Sequence, residues 1–244
     1  MSSARRRDYL TALGLDSWVL RARDAAPDLA LADAAGAAAP VRVAAPADLA
    51  PAASPAREAA YDWAQLRDRV AACTRCGLAA SRTQTVFGVG DPNADWLVVG
   101  EAPGADEDRA GEPFVGRAGQ LLNAMLRALG LAREQVYIAN VLKCRPPHNR
   151  DPAAGEVSEC VPFLDRQIEL LKPKIMLAVG RIAAQNLLKT DVPVGRLRLK
   201  VHGFGPTKVP LVVTYHPAYL LRSPAEKRKA WEDLKFAREV LARG

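Results

Sequence analysis

Long apolar runs are missing from this sequence: no stretch approaches the roughly 18 consecutive apolar residues that a helix needs to cross a bilayer. The opening MSSARRRDYL also lacks the apolar stretch of a secretory signal. Both absences argue against a membrane protein and predict a cytoplasmic one. In that reducing compartment the four cysteines are expected to be free, metal-bound or cluster-bound rather than paired in structural disulfides. Histidine is scarce, with three in the chain. Acidic residues are outnumbered, 27 against 34 basic ones, for a net charge of +7. That balance favours a polyanionic partner, but many unrelated soluble proteins share it, so charge alone does not single out nucleic acid.

Large apolar side chains are also scarce from Ala25 to Arg57, where Ala and Pro dominate without a steady period. Such a segment cannot offset the entropy of ordering, which predicts a disordered, flexible tether over residues 25–57. Ahead of it, residues 1–24 hold RDYLTALGLDSWVLRA, a short helix with an apolar side that needs cover. Two occupants are open: the main domain, or another protein that the helix docks onto.

From residue 58 to 244 the signals alternate. DWLVVG, QVYIANVL, KIMLAVG and VPLVVTY are apolar, β-branched runs of strand length. Helical patterns fall at Trp63–Ala72, Gln120–Leu129, Glu156–Leu171, Ile182–Leu188 and Pro224–Ala242. Strands that are apolar throughout, alternating with helices, predict an α/β fold with a mostly parallel four-stranded central sheet covered by helices on both faces. Ligands of such sheets collect beyond the carboxyl ends of the strands. GEAPG, the Asn140 region, GRIAAQ and TYHPAY all lie there.

Gly100 and Gly104 allow a ligand to approach the backbone closely, and Pro103 stiffens the turn between them. Glu101, Asp106, Glu107 and Asp108 then crowd four carboxylates into eight residues, as a site or as a solvated acidic loop capping the next helix. Asn140 sits inside an apolar run, where its carboxamide must find partners. It either reads an amide or imide edge of a nucleobase or is a satisfied core residue. Phe114 offers a flat face for stacking on a base, or packs into the core. His216 follows the last strand, where a neutral imidazole donates a hydrogen bond to a developing anion, or does nothing catalytic. After it, Tyr219, Leu220, Leu221 and Arg222 suit a wedge in a base stack with an arginine on phosphate if exposed, and the start of the last helix if buried. Cys73 and Cys76 form a Cys-x2-Cys pair, while Cys144 and Cys160 are separated by fifteen residues. The set is a four-thiolate site, and its spacing does not decide between zinc and iron–sulfur.

The combination of GEAPGADED with EPFVGRAGQLL, NVLKCRPPHNRDP with Cys160 beyond it, AVGRIAAQNLL, and TYHPAYLLR resembles the family 4 uracil-DNA glycosylases, the iron–sulfur branch of their superfamily. The resemblance covers roughly Trp63 to Arg243. It implies a monofunctional hydrolase that flips uracil out of DNA, cuts its N-glycosidic bond and leaves an abasic site. It places Gly100, Ala102 and Gly104 of the first motif at the base and sugar, Phe114 as the stacking residue and Asn140 as the base reader. His216 becomes the donor to the uracil carbonyl, Leu220 the wedge, with Arg222 beside it, and the four cysteines the ligands of one [4Fe–4S] cluster per chain. Family 1 relatives have an aspartate where this chain has Ala102, so water positioning falls to Glu101 or Glu107, with Glu107 preferred. His148 lies in a plain segment rather than in the insertion of the covalently trapping branch, so ordinary turnover is expected. The expected partner is uracil-containing DNA, with the chain acting as a monomer. A non-catalytic iron–sulfur nucleic-acid binding module and a glycosylase with a broader range of deaminated bases are the alternatives.

Overall fold

The computed structural model describes residues 61–243, so the expected N-terminal helix and Ala/Pro-rich tether lie outside the described residues. Strands form where apolar, β-branched side chains run together. They are β1 (Val89–Gly90), β2 (Trp96–Gly100), β3 (Tyr137–Asn140), β4 (Ile175–Val179), β5 (His202–Phe204) and β6 (Val209–Thr214). They build one six-stranded sheet in the order β1-β3-β2-β4-β6-β5. The four expected strands are its parallel centre. The expectation of four strands is corrected to six: β1 joins β3 and β5 joins β6, both antiparallel. Both additions are half-exposed edge strands of two and three residues, too short for an apolar run to announce them.

The helices are α1 (Trp63–Ala71), α2 (Ala105–Ala110), α3 (Arg117–Ala128), α4 (Ala154–Leu171), α5 (Arg181–Leu188), α6 (Val194–Leu197), α7 (Pro217–Arg222) and α8 (Lys227–Arg243). Some begin on a capping signal written in the sequence. Before α1, Asp62 accepts from the backbone N–H of Gln65 at 2.8 Å, and Gln65 accepts from that of Asp62 at 3.1 Å.

Side chains alternate across the sheet with a period of two. Leu97 and Val99 of β2 pack with Leu164 and Ile168 of α4 and with Ala183 and Ala184 of α5. On the other face Trp96 and Val98 meet Leu122 and Leu126 of α3 and Leu234 of α8. Each fully buried aliphatic side chain of this kind stabilises the fold by about 1.5–3 kcal/mol, and together they close the expected α/β/α sandwich. A third cluster joins Leu66 and Val70 of α1 to Phe87, Leu142 and Phe163, with all four cysteines packed into it.

Register sets the site. Gly100 pairs with Asn140 across β2 and β3, and Val179 pairs with Thr214 across β4 and β6. The four central strands therefore release their chains at one rim, the carboxyl end of the sheet.

Candidate active site

A cleft at that rim is lined by Glu101, Ala102, Gly104, Glu107, Phe114, Asn140, Gly180, Arg181, Tyr215, His216, Tyr219 and Arg222, among others. The structure thus gathers most of the residues singled out in the sequence around one space.

Asn140 is 2% exposed, and its carboxamide oxygen has no hydrogen-bond partner. A buried acceptor left empty costs free energy, about 1–3 kcal/mol, unless a ligand fills it. Gly100 makes room for it: a Cβ built there would lie 2.3 Å from the Asn140 oxygen and 2.7 Å from the Phe114 ring. The glycine is a condition of the site rather than a hinge.

Phe114 is held in an unusual backbone state, φ +55°, from two sides. A Cβ on Gly119 would fall 1.7 Å from its carbonyl oxygen, so α3 packs directly against the Phe114 backbone. Arg133 donates to the carbonyls of Pro113 at 2.5 Å and Phe114 at 3.4 Å, and to Asn123 at 3.1 Å. Burial lowers the pKa of that guanidinium, an effect that Glu112, Glu134 and Glu107 counter. The Phe114 ring lies 5.6 Å from that of His216, tilted by 31°.

His216 caps α7. Its Nδ1 accepts the backbone N–H of Ala218 at 3.1 Å, which leaves Nε2 to carry the proton of a neutral ring. Burial, then the charge of Arg222, push its pKa down to about 4, while Glu107 pulls the other way. A pKa that low leaves the imidazole neutral at physiological pH.

The acidic run divides into separate tasks. Glu107 accepts from the backbone N–H groups of Gly104 at 3.1 Å, Val115 at 3.0 Å and Gly116 at 3.2 Å, so it ties the GEAPG turn to the Phe114 loop. Asp108 is buried and accepts from Thr83 N–H at 3.0 Å, and Asp106 pairs with Arg109 on the surface. Glu101 has no such engagement. Burial and then the neighbouring Asp151 raise its pKa to about 7, against the lowering effect of Arg181. Asp151 and Arg181 themselves form an ion pair at 2.5 Å beside the cleft.

The wedge expectation needs correction. Leu220 is 1% exposed and packs in the core under α3 and α8, so it cannot enter a base stack. Its neighbours take the rim: Tyr219 is 36% exposed with its ring 5.2 Å from Tyr215, and Arg222 is exposed. Pro217, directly after His216, was the available signal, since proline at a first helical position starts a helix and turns the fourth residue after the cap inward. Arg133 and the Asp151–Arg181 pair carried no sequence signal, because their partners are distant in the chain.

Away from the cleft, Cys73, Cys76, Cys144 and Cys160 are free thiols around one cavity, together with Val70, Leu142 and Phe163. Arg82 donates to the Cys144 sulfur at 3.1 Å, and the backbone N–H of Lys143 to that of Cys160 at 3.2 Å. Burial pushes the Cys160 thiol up to about 12, against the lowering effect of Lys143. Among the described residues no three His, Cys, Asp or Glu side chains converge as a single metal ion requires.

The family model described as the uracil DNA glycosylase superfamily matches residues 87–235. The chain belongs to the uracil-DNA glycosylase superfamily. Its relatives place it in the type-4 branch. The type-4 uracil-DNA glycosylase of Archaeoglobus fulgidus is 44% identical over 178 residues, 70% of this chain and 89% of the relative. Those of Pyrobaculum aerophilum and Thermotoga maritima are 42% and 41% identical, covering 91% and 92% of their own lengths and 71% of this chain. Gly100, Phe114, Asn140, His216, Cys144 and Cys160 fall inside the uracil-DNA glycosylase match, whereas Cys73 and Cys76 precede it.

Proposed function

We propose that the protein is a monofunctional type-4 uracil-DNA glycosylase that excises uracil from DNA and leaves an abasic site. The observation that carries this reading is the empty, buried acceptor of Asn140, walled by Gly100 and Phe114 at the carboxyl end of the sheet. Uracil offers an N3–H donor to that oxygen and an O4 acceptor to the amide N–H groups. Cytosine offers the reverse at both positions and is refused. A base inside a duplex cannot reach this cleft, so uracil must leave the stack, which costs least in a weak or mismatched pair.

As the C1′–N1 bond breaks, its electron pair leaves with uracil and the sugar becomes oxocarbenium-like. The Nε2–H of His216 donates to the developing uracil anion, and a neutral ring already oriented by Ala218 does so without reorganising. Water adds to C1′ and gives its proton to Glu101, the cleft carboxylate whose pKa of about 7 suits a general base near neutral pH. Glu107, with three backbone N–H groups on its carboxylate, holds the two loops in place instead. Tyr219 and Arg222, exposed at the cleft rim, would fill the gap left by the base and meet the adjoining phosphate.

The four cysteines would hold one [4Fe–4S] cluster. The donor set is all thiol, it encloses one cavity and it receives N–H donors from Lys143 and Arg82. Held by these thiols, such a cluster would supply a structural cross-link between the segment after α1, the end of β3 and α4. Incubation of purified protein with an oligonucleotide holding one uracil tests the function: alkali-labile breaks at the uracil support it. Tight DNA binding without breaks would favour a binding module instead.

A further inference from the structure

Asp233 is a buried acid on α8 that the chemistry above does not use. Its side chain is fully enclosed, and one oxygen accepts both from the hydroxyl of Thr214 at 2.8 Å and from Nε of Arg198 at 2.7 Å. Its other oxygen has no partner. A half-satisfied buried carboxylate is a poor device for stability alone, since well-packed apolar residues often hold such a place better. Its partners suggest another purpose.

Thr214 ends β6, two residues before His216, and its carbonyl accepts the backbone N–H of Gly180 at 2.9 Å. Gly180, with φ +98°, abuts the His216 side chain so closely that an added Cβ would lie 2.9 Å from that of the histidine. Arg198 lays its guanidinium 5.1 Å from the centre of the Tyr215 ring and donates to the carbonyl of Lys229 at 2.6 Å. Both residues that lead into His216 are therefore held from α8, one by its hydroxyl and one by its ring.

We propose that Asp233 is a positioning residue for His216. Through Thr214, and through Arg198 on Tyr215, it fixes the direction in which the chain leaves β6, and with it the aim of the His216 Nε2–H toward the base held by Asn140. This rests on the reading of His216 as donor to the departing uracil. Without the grip, the strand end pivots, the histidine ring turns, and the hydrogen bond that should strengthen in the transition state is misaimed.

The test uses the full chain and three variants: Asp233→Asn, Thr214→Val, and Glu239→Gln as a control on the exposed side of the same helix, where it pairs with Arg243 on the surface. Wild-type uracil release is measured first, and its absence would remove the underlying reading rather than this inference. Single-turnover release by Asp233→Asn and Thr214→Val should fall about 10- to 100-fold, as expected for a misplacement near 1 Å, with DNA affinity within about twofold and Glu239→Gln unchanged. Nitrogen chemical shifts of His216 should show the single Nε2–H tautomer of the wild type giving way to a mixture. If Asp233→Asn does not fold, Thr214→Val, which removes only a hydroxyl, carries the test. Folded variants that keep wild-type rates and the wild-type tautomer, or that lose only DNA affinity, would overturn the proposal.

Discussion

Glu101 and His216 face the same cleft, yet burial moves them in opposite directions along the pH scale, because it disfavours the charged form of each. Glu101 rises from an ordinary 4.5 to about 7, and His216 falls from 6.5 to about 4. The consequences for stability have opposite signs. The Glu101 contribution is present below about pH 4.5 and is lost as pH rises through 7, whereas that of His216 is present above pH 6.5 and is lost as pH falls toward 4. In the proposed chemistry, activity follows the ionised carboxylate and the neutral imidazole. The kcat/KM profile should rise on its acid side with an apparent pKa near 7. Glu101→Gln should remove that limb and lower the rate by about 10²- to 10⁴-fold, the usual range for losing a general base. A limb that persists in this variant would assign the proton transfer to another group. The sequence reading prefers Glu107 for this task, and in the structure that carboxylate accepts three backbone N–H groups. A carboxylate three residues into a turn is as well placed to cap backbone as to meet water.

The pairing of β2 with β3 places a glycine opposite an asparagine, and that one rung sets the space beside the Asn140 carboxamide in which the proposed function seats a base. Gly100→Ala should displace both the Asn140 oxygen and the Phe114 ring, cost about 1–3 kcal/mol in stability through overpacking, and lower uracil release by at least about 100-fold. A folded variant with wild-type release would show that neither side chain is confined as described. These central strands were legible in the sequence because each is apolar on both faces. The edge strands were not, since Val89–Gly90 and His202–Phe204 are too short to show a period. Asn140, Phe114 and His216 could be found because each breaks its local pattern at a strand end or a glycine-bounded loop. Leu220 shows the limit: the motif gave its position, but only the helix begun at Pro217 tells which way it points.

At the scale of the domain, the segment that ends β3 and follows it lines both cavities, the rim cleft first and the thiol cavity next. Asn140 faces the cleft and Cys144, four residues on, faces the cavity. The cavity draws Cys73 and Cys76 from beyond α1 and Cys160 from α4, so a cluster there would tie the start of the described chain to the strand that carries Asn140. The purified protein should carry about four irons and four sulfides per chain and absorb visible light. Cys160→Ser should lose them, and its melting temperature should drop by roughly 5–10 °C, corresponding to about 2–4 kcal/mol in a chain of this size. A colourless protein holding one zinc would refute the cluster.

Release of free uracil, measured by mass spectrometry under single-turnover conditions for wild type and Asn140→Ala, tests the central claim most directly. The wild type should free uracil from a uracil-containing oligonucleotide and leave the strand uncut until alkali is added. Asn140→Ala should bind the same DNA and release uracil about 5- to 160-fold more slowly, as loss of a bidentate base contact worth about 1–3 kcal/mol predicts. No uracil from the wild type, or equal rates from the two proteins, would contradict the account.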